Sequence, residues 1–299
     1  MVQQYFDALN GGHAQAALAL LANPPSDTSL LTDQVLDFML TGSPTPFTVI
    51  KLTALGGSPS PTPGTSTLVR ASYTVGGQAV DSETMPLIWD SAGWKIVNGT
   101  VLIGINRPIG LAMTVNGVTA PSGTTSLTLF PGVYQLDSGN PLVSPTDGPV
   151  SFIVAHLFPN PSTVLPPVDF SSIGLTDAGT DAVRQAATAK VAACLDTWVG
   201  QQPYNPSDGC PVELPGALSG GSATTNRAWQ YASAHFDGIT ATMESGSMFA
   251  QWQASPGIAI TLTGTYQNQP LSGSLAITSM RLDLSDPANI AVTLNVALR

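Results

Sequence analysis

Hydrophobic residues in the N-terminal part of the chain recur first at helical spacing and then at every second position. Val2, Phe6 and Leu9 fit one face of a helix, whereas residues 47–55 alternate as a half-buried strand does. Gly42 and Pro44 end the helical part. Helices followed by strands favour an α+β fold in which the helices cover an antiparallel sheet.

The first predicted domain covers residues 1–106. Its opening helical segment runs to Ala22 with an interruption at Asn10, Gly11 and Gly12, and Asp27 or Thr28 is the predicted cap of a further helix. The predicted strands are residues 47–55, 67–75, 85–89 and 94–97.

A second, all-β region is predicted for residues 107–168. Asn116-Gly117 stands between Val115 and Val118, which is the pattern of a tight two-residue hairpin whose turn residues need positive φ. Strands are predicted at residues 111–115, 124–130, 133–136 and 150–155, and the region ends in a proline-rich linker.

The remaining residues, 169–299, predict a C-terminal α+β domain. Thr176 or Asp177 caps a helix that runs over residues 178–199. Turn residues then separate strands predicted at 228–234, 239–244, 248–254, 258–266, 273–284 and 290–297.

Charge is scarce in this chain, and its distribution excludes one class of partner. Of the 299 residues 9% are charged, the net charge is -10, and the nine Lys and Arg residues are scattered singly. Nucleic-acid binding needs clustered cations that displace counterions from phosphates. We therefore predict no nucleic-acid partner, and an anionic membrane surface repels this chain.

Two cysteines, Cys194 and Cys210, stand sixteen positions apart on either side of a turn-rich segment. A disulfide between them stabilises the chain by about 3 kcal/mol in the loop-entropy model. The alternatives are two unpaired buried thiols or one reactive thiol. We favour the disulfide, since there is no third cysteine, and a disulfide requires export.

Residues of catalytic or metal-binding type are few and dispersed. The three histidines, His13, His156 and His235, fall in three different predicted domains, and we interpret each as a surface or partly packed residue. Asp81 and Glu83 stand two apart on one face of a strand, as a cation or acid–base pair does, but a solvated strand edge is the favoured interpretation. We predict no catalytic residue, no metal site and no cofactor.

Two segments carry a resemblance to a known family. The helical opening Val-Gln-Gln-Tyr-Phe-Asp-Ala-Leu-Asn-Gly-Gly-His at 2–13 and the hairpin Leu-Ile-Trp-Asp-Ser-Ala-Gly-Trp-Lys-Ile-Val-Asn-Gly at 87–99 resemble the NTF2-like fold. More narrowly, they resemble extracytoplasmic NTF2-like domains of actinobacterial membrane-anchored proteins and lipoproteins. The resemblance implies a curved sheet that wraps the helices around a conical pocket.

Shorter resemblances extend to the other two domains. The VNGV and PGVY segments of the second domain resemble small immunoglobulin-like or PEGA-like β-modules of bacterial surface proteins. The helix ending at Cys194, with Gly209-Cys210-Pro211 after it, resembles actinobacterial envelope proteins that also carry an NTF2-like domain. The C-terminal domain is alternatively a second, degenerate NTF2-like domain.

These resemblances predict a non-catalytic, extracytoplasmic envelope protein that acts as a binding or assembly module for other envelope proteins. We expect the membrane to be reached only through an N-terminal anchor of the full-length protein, and the chain to be a monomer or a homodimer. The alternative is a carrier of a hydrophobic small molecule such as a lipid, or an isomerase-like enzyme, that uses the cone. The predicted cone lining is Phe6, Leu9, Leu36, Met39, Ile50, Leu52 and Tyr73.

The disulfide is directly testable by mass spectrometry. We expect the intact protein, measured without reductant, to be lighter than the reduced protein by about two hydrogens, because one S–S bond replaces two thiols. Thiol labelling of the unfolded, unreduced protein serves as the control. Incorporation of label at either cysteine contradicts the pairing.

Overall fold

The computed structural model shows a mixed α+β protein, built mostly of strands in several sheets with few helices. It describes residues 1–42, 47–56, 60–157, 166–199, 210, 230–231, 240–266 and 269–298. Two compact units are present. The first consists of Met1–Gly139 and Pro145–Ser172, and the second of Asn140–Ser144 and Ile173–Arg299. The three-domain division at residues 106 and 168 stays a prediction.

The first unit opens with three short helices and continues in strands. The helices are α1 Val2–Asn10, α2 Ala14–Ala19 and α3 Asp33–Gly42. The strands that precede the helix of the second unit are β1 Phe47–Ala54, β2 Ser66–Val75, β3 Gln78–Trp89, β4 Trp94–Ile96, β5 Val101–Asn106, β6 Met113–Val115, β7 Val118–Thr119, β8 Ser126–Leu129, β9 Gly132–Ser138, β10 Val143–Pro145, β11 Val150–Val154, β12 Val168–Asp169 and β13 Ile173–Leu175. Of these, β13 and most of β10 belong to the second unit, and the two strands pair with each other.

Helix α3 begins later than the sequence pattern suggests. The Asp27 carboxylate accepts a bond from the Ser29 amide and so closes a local turn rather than capping a helix. The Thr32 hydroxyl accepts a bond from the Val35 amide at 3.3 Å and caps the helix instead. The predicted cap at Asp27 or Thr28 was therefore wrong, because Asp and Ser/Thr side chains suit turns as well as helix caps.

The helices cover an antiparallel sheet of order β1-β2-β3-β4. Tyr5, Phe6 and Leu9 of α1 are fully buried. The ring centroid of Phe6 lies 4.8 Å from that of Tyr73 on β2 and 6.0 Å from that of Phe47 on β1. Aromatic packing thus fills the space between α1 and the sheet.

A β-bulge on β3 changes which residues of that strand face the interior. Ala71 pairs with Glu83 but Tyr73 pairs with Val80, so two residues, Asp81 and Ser82, oppose a single residue of β2. Ser82 has a φ of 67°, a left-handed conformation unusual for a residue with a side chain. Val80 and Glu83 are consequently both buried, and Asp81 is exposed. The prediction that Asp81 and Glu83 share one face was wrong because the bulge lies between them.

The later strands of the first unit form two further sheets, of order β11-β9-β6-β7 and β12-β5-β8. Val115 pairs with Val118, and Asn116 and Gly117 have φ values of 50° and 77°, so the predicted two-residue hairpin is confirmed. The Asn116 amide donates to the Val35 carbonyl at 3.0 Å, which joins this hairpin to α3. The all-β region therefore packs directly on the N-terminal helices.

The second unit combines one long helix with a meandering antiparallel sheet. The helix α4 Asp177–Val199 is capped by the Thr176 hydroxyl, which accepts from the Gly179 amide at 2.9 Å, as predicted. The strands are β14 Gln230–Tyr231, β15 Thr242–Met243, β16 Phe249–Tyr266, β17 Gln269–Asp283 and β18 Ala291–Leu298. Strand β16 joins the two strands predicted at 248–254 and 258–266, with a register shift between Gln253 and Ile258.

The disulfide between Cys194 and Cys210 is present, with a Cα–Cα distance of 5.5 Å, and both cysteines are buried. The predicted pairing is confirmed. A disulfide of this kind suggests an oxidising, extracytoplasmic environment. In the described part of the chain, none of the helices has the length and apolarity needed to cross a bilayer.

Candidate binding cleft

The seven residues predicted to line a cone lie in different environments. Phe6, Leu9, Leu36 and Tyr73 are fully buried in the packed interior of the first unit. Leu52 is half-buried, and the side chain of Met39 lies outside the described residues.

Ile50 differs from these residues because it is 61% exposed. The pairing of β1 with β2 shifts between Val49 and Lys51, so Ile50 sits in a bulge that breaks the alternation of the strand. Ile50 therefore does not line the interior. Sequence periodicity gave it the same face as Leu52, since a bulge is set by pairing with a distant strand.

A cleft of about 360 Å³ opens elsewhere in the first unit, along strand β11. Its lining is Gln78, Ile103, Val150, Ser151, Phe152, Ile153, Val154, Ala155, His156, Pro166, Pro167 and Val168. Seven of these residues, from Val150 to His156, are consecutive. Neighbouring residues of a strand point to opposite faces, so a cleft that all of them line runs along the backbone edge.

The edge of β11 that faces away from β9 carries no partner strand among the residues that the structure describes. The lining also includes Pro166 and Pro167, which lack amide protons and cannot donate to a strand. The hairpin that contributes Gln78 is held close to β11. A Cβ on Gly76 would overlap Val133 of β9, and only glycine allows this approach.

A polar cluster of Tyr73, Glu83 and His156 lies at the end of the cleft. The Glu83 side chain is 4% exposed, and the Nδ1 atom of His156 is 3.8 Å from its Oε1 atom. The Tyr73 hydroxyl donates to Glu83 Oε2 and lies 3.0 Å from the carbonyl oxygen of Ala155. Tyr73 thus connects the buried carboxylate with the backbone that carries His156.

The electrostatics of this cluster keep Tyr73 in its neutral form. Burial raises the pKa of the Tyr73 phenol far above its ordinary value, and the neighbouring Glu83 raises it further. A neutral phenol keeps its proton and remains a hydrogen-bond donor. The arrangement therefore supplies the buried carboxylate with a permanent donor.

The sequence interpretation missed this cluster because it assigned Glu83 to a solvated edge, whereas Glu83 is buried. His156, interpreted as a surface or partly packed residue, is indeed half-exposed. One signal was available. The apolar residues Val80 and Met85 are five positions apart, which a strict period of two does not allow on one face. That spacing indicates a bulge between them, and a bulge places Glu83 on the buried face.

The structure also shows a much smaller cavity in its second unit. A cavity of about 10 Å³ lies in the second unit between α4 and the sheet, next to Val183, Trp252 and Met280. It has room for about one water molecule. Across the described residues, no three His, Cys, Asp or Glu side chains come together as metal ligands do.

Comparison with known proteins gives no family assignment. No family model, no curated protein and no solved structure matches this chain.

Replacing Tyr73 tests the cluster. We expect Tyr73→Phe to lower the free energy of unfolding by about 2–3 kcal/mol, because a buried carboxylate loses a donor, and Tyr134→Phe to lower it by only about 1 kcal/mol. Tyr134 is the matched control, since its buried hydroxyl donates to the Phe130 carbonyl and to no charged group. Urea unfolding followed by tryptophan fluorescence measures both, and equal losses contradict a special role for Glu83.

Proposed function

We propose that this protein is an extracytoplasmic binding or assembly module of the cell envelope, and that it holds an extended segment of a partner envelope protein against strand β11. One observation carries the proposal: the cleft is lined by every residue from Val150 to His156, so its wall is a strand edge.

An open strand edge presents unpaired amide and carbonyl groups, and an extended peptide that adds to it satisfies them. The side chains along the cleft suit such a partner. Phe152 and the exposed Ile153 offer apolar contacts, and Ser151 adds a hydroxyl. In strand addition the backbone supplies affinity, and the alternate side chains supply specificity.

The dense packing of the first unit supports this proposal over a carrier that uses the cone. Phe6, Leu9 and Tyr73 are each fully buried, and the rings of Phe6 and Tyr73 are in contact within the helix–sheet interior. The order of helices before a four-stranded antiparallel sheet supports an NTF2-like architecture for residues 1–106. In this proposal the NTF2-like domain is a scaffold that positions the cleft.

A second candidate function is the binding of a small hydrophobic molecule in the same cleft. The volume of about 360 Å³ favours it, since it falls within the range of about 300–1,000 Å³ typical of small-molecule sites. Such a ligand contacts side chains and needs no pairing with the backbone of β11. Peptide binding by strand addition therefore depends on the backbone amide groups of β11 and of the peptide, whereas binding of a small hydrophobic molecule does not.

Selection of random linear peptides on the purified protein, followed by N-methylation of the best binder, tests strand addition. We expect N-methylation to weaken binding at every second peptide residue by about tenfold or more and to change it little at the residues between. Only alternate amides of an added strand face β11. Isothermal titration calorimetry measures the affinities, and a uniform or aperiodic pattern contradicts strand addition.

A pair of proline variants supplies the matching test on the protein. Ser151 and Phe152 are neighbours on β11, so one amide faces β9 and the other faces the cleft. One of Ser151→Pro and Phe152→Pro is expected to fold normally and lose peptide binding, while the other is destabilised. Normal binding by every variant that folds rules out pairing at this edge.

A further inference from the structure

The end of the cleft carries an imidazole, that of His156, next to a buried carboxylate. His156 lines the cleft with 49% of its side chain exposed, and its Nδ1 atom faces the buried Glu83 carboxylate. The two ring nitrogens lie on different sides of an imidazole. The Nε2 atom of His156 is therefore the one turned away from Glu83 and available to a bound segment.

The position of Glu83 distinguishes the two ring nitrogens. Nδ1 is the nitrogen nearer to the carboxylate, at 3.8 Å from Oε1. An imidazole that carries its proton on Nδ1 presents Nε2 as a hydrogen-bond acceptor. The Tyr73 hydroxyl donates to Glu83 and lies beside the Ala155 carbonyl, so it joins the carboxylate to the backbone next to His156.

The surroundings of the cleft favour a positively charged donor. The residues that line it include no Lys or Arg. Asp147 precedes the lining strand by three positions, and Asp169 directly follows Val168. The first unit has ten Asp and Glu residues against four Lys and Arg. A cation at the end of the cleft meets a negative field, with the Glu83 carboxylate behind the imidazole.

We propose that the segment bound along β11 places a primary ammonium group, from a lysine side chain or from a free N-terminus, against Nε2 of His156. This inference rests on the proposed function of the cleft. An ammonium is a compact charge with rotatable donors and suits a single acceptor atom, whereas the planar fork of a guanidinium suits two parallel acceptors.

The test uses the peptide selected on the wild-type protein, synthesised in three forms. One form is unmodified, one has acetyl-lysine in place of lysine, and one has an acetylated N-terminus. We expect one of the two neutralised peptides to bind wild-type protein about tenfold more weakly, and which of them does so identifies the source of the ammonium. Because it uses only the wild-type protein, this comparison does not depend on how any variant folds.

Two matched variants test which carboxylate attracts the ammonium group. Glu83→Gln removes the buried carboxylate but keeps an oxygen that accepts from Tyr73, and Asp81→Asn removes an exposed carboxylate two residues away. We expect Glu83→Gln to abolish the tenfold preference for the charged peptide and Asp81→Asn to preserve it. A double-mutant cycle that combines the neutralised peptide with each protein variant gives the coupling free energy between the ammonium and that carboxylate.

The outcomes separate the two proposals. Equal binding of all three peptides overturns the ammonium site, as does an equal loss of preference in both variants, while periodic sensitivity to N-methylation still upholds strand addition. If the library yields no peptide that depends on the β11 amides, the proposed function fails, and the ammonium site fails with it.

Discussion

The buried carboxylate of Glu83 is the constraint on which the arrangement of the first unit depends. Removing a carboxylate from water is costly, so a buried carboxylate needs hydrogen-bond donors or positive charges around it. Tyr73 provides one of them from the neighbouring strand. The same hydroxyl lies beside the carbonyl of Ala155, which directly follows β11, so a polar contact joins the sheet of β1 to β4 to the end of β11.

The bulge at Asp81 and Ser82 is what makes this meeting possible. Without the extra residue, Glu83 would alternate to the solvent face and Tyr73 would have no carboxylate to bind. The left-handed conformation of Ser82 costs about 1–2 kcal/mol for a residue with a side chain. A strained residue of this kind persists where the surrounding structure holds it, and such positions cluster at functional sites. Ser82 directly precedes Glu83, whose carboxylate lies 3.8 Å from His156 of the cleft lining.

Local signals in the sequence were sufficient for the parts of the fold that short segments determine. The hairpin at Asn116 and Gly117, the cap at Thr176 and the pairing of Cys194 with Cys210 each follow from turn chemistry, capping or simple counting. The α+β class followed from the change of hydrophobic period.

The sequence did not reveal features that depend on pairing between distant strands. Bulges at Ile50 and at Ser82 shift the alternation of their strands, so Ile50 turned out to be exposed and Glu83 buried. The cleft was not foreseen for the same reason. Residues 150–155 were recognised as a strand, but an edge strand and a central strand have similar sequences when both are apolar. Only the sheet order shows that β11 lies at an edge.

Amide hydrogen exchange of the protein with and without the selected peptide tests the central claim most directly. Strand addition predicts that alternate amides of Val150–Val154 exchange more slowly in the complex, because each acquires a carbonyl partner from the added strand. Unchanged exchange along this strand, with protection confined to the helices α1 and α3 or to the opposite edge at β1, would contradict the account and place the binding surface elsewhere.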